Sequence, residues 1–61
     1  MKLEQFTLDL MDLKQLSLKA TDQYGRYKFT AQVRFMINLY PQEWHSKIIE
    51  IFEEVELKCK N

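Results

Sequence analysis

His45 and Cys59 are the only histidine and cysteine of this 61-residue chain. A cysteine nucleophile needs its base within hydrogen-bond reach. The two lie fourteen positions apart in a segment of helical pattern, a separation of ~21 Å along a helix axis, so they form no dyad within one chain. Cys59 reads as a small core residue and His45 as an exposed bystander without a sequence neighbour to pair with. Glu50, Glu53, Glu54 and Glu56 offer paired carboxylates, but acid–base work needs a cleft that drives two such pKa values apart. They read as a solvated helix face. A single glycine, Gly25, excludes a glycine-rich phosphate loop. One histidine and one cysteine are too few for a structural zinc site, and no spacing matches an EF-hand. The reading is a protein that is not an enzyme and takes no cofactor or metal.

What remains is a set of basic and polar side chains in the middle of the chain. Lys19, Arg26, Lys28 and Arg34, with Thr30, Gln32 and Tyr24 among them, are the groups that meet macromolecular partners. Charge is sorted along the sequence. Residues 13–42 hold five cations against one acid, Asp22, whereas residues 1–12 and 43–61 are each net acidic, and the total is zero. Sorted charge marks candidate partner surfaces. On a two-stranded ribbon these cations fit a nucleic-acid groove, with Tyr24 stacking at its edge. Neutral overall charge argues against a dedicated nucleic-acid binder. Basic residues also serve as plain protection on exposed sheet edges.

The elements that must carry this surface follow from hydrophobic spacing. Tyr27, Phe29, Ala31, Val33, Phe35, Ile37 and Leu39 alternate with mostly polar residues, the period of a strand with one buried face. This predicts a strand over 25–38, ~46 Å long if straight, bending near Phe35-Met36-Ile37. Leu16, Leu18 and Ala20 predict a strand over 15–22, joined to it by a hairpin turn with Gly25 at a positive φ. Phe6, Leu8 and Leu10 predict a strand over 3–11, although Leu3, Phe6, Leu10 and Leu13 also fit a helix. From Pro41 onward, Trp44, Ile48, Ile51, Phe52, Val55 and Cys59 share one helical face, and Glu43–Lys47, Glu54–Lys58 and Glu56–Lys60 are favourable i,i+4 pairs. This predicts a helix over 41–58, with a last strand near 55–60 as the rival. The expected fold is α+β, a single domain over 1–61. A small antiparallel sheet of about three strands, with a central hairpin, packs on one C-terminal helix. Its core joins Trp44, Ile48, Ile51, Phe52 and Val55 to Leu16, Leu18, Phe29, Val33 and Phe35.

Composition sets the remaining expectations. With 46% hydrophobic residues and eight aromatics, the chain is a folded one. Below ~70–80 residues one core rarely suffices without a staple, and neither a disulfide nor zinc is at hand. This predicts self-association, a homodimer by preference, with the out-of-phase Met11, Met36 and Tyr40 as its contacts. No apolar run is long enough to span a membrane, the first residues lack a signal-peptide pattern, and a lone cysteine fits a reducing compartment. The cytoplasm, of a cell or of an infected host, is the expected location. Two functions are consistent with this. The first is a small homo-oligomeric regulator or inhibitor binding another macromolecule, a protein above all, of the size of phage-encoded inhibitors. The second is a nucleic-acid binder using Lys19, Arg26, Lys28 and Arg34.

Overall fold

The computed structural model describes residues 3–59. They form three α-helices, α1 (Leu3–Leu18), α2 (Gln23–Leu39) and α3 (His45–Cys59), with a 3-10 turn at Gln42–Trp44. No strand occurs among the described residues. The fold is a three-helix bundle, and the α+β expectation is wrong. The segments 3–11, 15–22 and 25–38 are helical rather than extended, apart from the turn at 19–22.

The reason lies in the spacing itself. Residues two apart on a helix sit ~200° apart, and residues four apart sit nearly in line. An alternating run can therefore be two i,i+4 rows on opposite helix faces. In α2 the inner row is Phe29, Val33, Met36 and Tyr40 at the helix end, all buried, whereas Tyr27, Ala31 and Phe35 form an outer row. Burying the outer row would also have buried the Lys28 and Arg34 beside it, at a heavy desolvation cost. In α1 the helical set that competed with the strand is the real one: Phe6 and Leu13 are buried and Leu10 packs against them, although Leu3 points outward.

The turn between α1 and α2 is a helix cap, not a hairpin. Asp22 has extended backbone, and its Oδ1 accepts a 2.7 Å hydrogen bond from the Gly25 N–H. This satisfies one of the free amides that open any helix. No glycine has a positive φ among the described residues. Gly25 is needed for closeness instead: a Cβ there would lie 2.3 Å from the Lys19 carbonyl oxygen. At the far end Pro41 holds Tyr40 extended and ends α2. The chain then re-enters helix through the 3-10 turn, so the helix expected from 41 becomes regular only at His45. Residues 49–59 continue that helix, which excludes the rival strand over the described part. The side chain of Cys59 and the whole of Lys60, the expected partner of Glu56, fall outside the described residues.

Aromatic contacts fix the packing order. Phe6, near the start of α1, lies 4.9 Å from Tyr40 and 4.8 Å from Trp44, centroid to centroid. Phe29 of α2 stacks on Phe52 of α3 at 6.3 Å. α1 and α3 thus run in one direction and α2 in the other, as short connections dictate. The core is Phe6, Leu13, Ala20, Phe29, Val33, Met36, Tyr40, Ile48, Ile51 and Val55. Leu18 and Phe35, expected inside, are 65% and 54% exposed.

Candidate interaction surface

α2 is the one helix with cations and no acid: Arg26, Lys28 and Arg34. α1 holds Glu4, Asp9 and Asp12 against Lys14, and α3 holds four glutamates against Lys47 and Lys58. Arg26 closes the first turn of α2, at the positive end of the helix dipole, where a cation costs ~0.3–1 kcal/mol. Helix stability therefore does not account for its placement.

On the outer face of α2, Tyr24, Lys28, Ala31 and Phe35 run in one row, with Tyr27, Arg34 and Asn38 alongside. Tyr24, Tyr27 and Phe35 are 69%, 71% and 54% exposed. The Lys28 ammonium sits 5.4 Å from the Tyr24 ring centroid, a cation–π distance that steadies both side chains. The small Ala31 opens a shallow hollow of about 340 Å³ bounded by Tyr27, Thr30 and Arg34. A second hollow of about 200 Å³, at the α1–α2 corner, gathers Lys19, Tyr24 and Lys28. Arg26 lies apart, in a cleft of about 470 Å³ between α2 and α3 that Tyr27 and Glu56 also line.

The structure thus brings Lys19, Tyr24 and Lys28 together, sets Arg34 on the same helix face, and turns Arg26 toward α3. Gln32 is half-buried at the flank. Tyr27 and Phe35 belong to this surface although the alternating pattern assigned them to the core, and the i,i+4 row through Ala31 is the signal that identifies them. The self-association set divides. Met11 is 58% exposed, but Met36 and Tyr40 are 0% and 3% exposed inside the core of a single copy, so neither offers a contact surface. They fell out of phase with a strand because they are in phase with the inner face of a helix.

Other groups are structural. The Tyr40 hydroxyl donates to an Asp9 carboxylate oxygen. Burial first, then that hydrogen bond and the Asp9 charge, push the Tyr40 pKa up to about 12. His45 is half-buried rather than exposed, and its Nε2–H donates to the Tyr40 carbonyl at 2.9 Å, pinning the start of α3 to the end of α2. Among the described residues no three His, Cys, Asp or Glu side chains converge as a metal site, and no helix is long and apolar enough to cross a membrane. Compared with protein-family models, curated proteins and solved structures, the chain matches none.

Proposed function

We propose that this protein is a small non-enzymatic interaction module that docks an acidic protein partner on the outer face of α2, regulating or inhibiting it by binding. The observation that carries this reading is the exposed set Tyr24, Tyr27 and Phe35 interleaved with Lys28 and Arg34 on a helix without acids. Aromatic residues and arginine dominate the energetic centres of protein interfaces, and an acid-free face selects an acidic counterpart. The acidic helices on either side limit the basic field to one strip, which suits a protein patch better than a long phosphate backbone. A lone cysteine fits work in the cytoplasm.

The test is site-specific photo-crosslinking in the native cell, with the reactive group placed at Tyr27, Phe35 or, as a control on α3, Lys47. Protein adducts should form from the α2 positions and vanish when Arg34 becomes Glu. Adducts from Lys47 alone would overturn the assignment. Binding of mixed DNA and RNA at low salt, lost at high salt and in the Arg26→Glu/Arg34→Glu variant, would establish the nucleic-acid function instead.

A further inference from the structure

α1 is apolar on two sides. Phe6, Leu10, Leu13 and Leu16 face the core, and Leu3, Leu8, Met11 and Leu18 are 67%, 55%, 58% and 65% exposed. Successive residues turn by ~100°, so Leu3, Glu4, Thr7, Leu8, Met11, Lys14 and Leu18 share the outward face. Leu3, Glu4, Thr7 and Leu8 line a shallow, open apolar depression on it, and the exposed Met11 follows one turn beyond Thr7, a knob of the size such a depression takes. The same face carries one acid and one base, Glu4 and Lys14, ten positions and ~15 Å apart.

We propose that this face is the contact of a two-fold homodimer in which α1 packs antiparallel against α1 of a second copy. The register follows from the residues. Glu4 and Lys14 straddle position 9, and so do Thr7 and Met11. An axis at that height sets Glu4 opposite Lys14 of the second copy and, in the same alignment, drops Met11 of the second copy over Thr7 in the hollow. Each contact occurs twice, as a two-fold interface requires. Knob and hollow, acid and base, are thus self-complementary in one register, with Leu8 beside the axis and the two helix dipoles opposed. A second copy fits better than an anionic lipid surface, because α1 carries three acids against one lysine. This contact leaves the outer face of α2 free and does not depend on the function assigned to it.

Sedimentation equilibrium from micromolar to millimolar protein, with circular dichroism to verify helicity, tests the proposal. The wild type should pass from monomer to dimer across that range, and Met11→Glu should remain monomeric. Glu4→Lys and Lys14→Glu should each weaken the dimer about tenfold by facing like charges, and the double exchange should recover to within about threefold of wild type. Glu4→Lys also removes an acid from the first turn of α1, but the double variant keeps that defect, so its recovery reads the interface alone. Tyr27→Ala/Phe35→Ala should dimerise normally. A wild type that stays monomeric, a dimer indifferent to Met11→Glu, a double exchange no better than either single one, or a dimer lost in the α2 variant would each overturn the proposal.

Discussion

The hydroxyl of Tyr40 donates to the carboxylate of Asp9, thirty-one residues earlier, and so joins the end of α2 to the middle of α1. The phenol ring meanwhile packs in a triangle with Phe6 and Trp44, its centroid 4.9 Å from Phe6 and 5.8 Å from Trp44, whose plane is tilted 29° from its own. The bond sits at the partly buried rim of this aromatic corner. Tyr40→Phe keeps the packing and removes the bond, which for a charged acceptor contributes ~1.5–3 kcal/mol. Urea denaturation should show that loss, and Asp9→Asn should add less to it than it costs alone, because the two side chains form one interaction.

The same pair makes stability fall at high pH. An unfolded tyrosine loses its proton near ~10, whereas folded Tyr40 keeps it up to about 12. Between these values the native state binds the extra proton, so raising pH favours unfolding. Below that window both states are protonated and Tyr40 adds no pH dependence. The urea midpoint should therefore drop more steeply between about pH 9 and about pH 11.5 in the wild type than in Tyr40→Phe. Parallel curves would mean that the phenol is not held in its neutral form.

Gly25 should resist the usual helix-stabilising replacement. Alanine in place of glycine inside a helix ordinarily gains ~1 kcal/mol. Here the new Cβ would meet the Lys19 carbonyl oxygen at 2.3 Å and Asp22 Oδ1 at 3.0 Å. Forcing the turn and its cap apart should cost ~1–3 kcal/mol, the scale of overpacking. Thermal unfolding of Gly25→Ala checks the sign, and a melting temperature above wild type would contradict the cap geometry.

Phe29 and Phe35 separate the helical bundle from a sheet most cleanly. Phe29 is 1% exposed and Phe35 54%, although an extended strand would set both on one face. Phe29→Ala should cost ~3–5 kcal/mol, enough to unfold much of so small a protein. Phe35→Ala should change stability by no more than about 0.5 kcal/mol. Equal losses in chemical denaturation would restore the single buried face.

Asp22→Ala should cost ~1 kcal/mol by removing the cap on the Gly25 amide. Asp22→Asn, which keeps an acceptor at Oδ1, should retain most of that stability. A comparison of the two melting temperatures distinguishes the hydrogen bond from the charge.

Local structure was legible where helical spacing and i,i+4 charge pairs agreed, even against the rival strand near 55–60. Trp44, Ile48, Ile51, Phe52 and Val55 fit a helix, and Ile48, Ile51 and Val55 are buried in one. Pro41 ends α2 because it has no amide hydrogen and constrains Tyr40, a property of the residue itself. Asp22 followed three residues later by Gly25 was visible too, but an aspartate before a glycine opens a turn as readily as it caps a helix. The same two residues therefore fit a hairpin as well as a cap.

The sequence by itself determined the order of charges and the break at Pro41, because each depends on residue type and near neighbours alone. It left α1 and α2 open. Each carries two apolar stripes, and a pair of i,i+4 rows on opposite faces spells the same letters as a strand. Only the tertiary structure decided that Phe29, Val33, Met36 and Tyr40 go inside while Tyr27 and Phe35 stay out. Burial is a contest between whole faces for a shared core, and it was settled by what α1 and α3 bring to that core from the far ends of the chain.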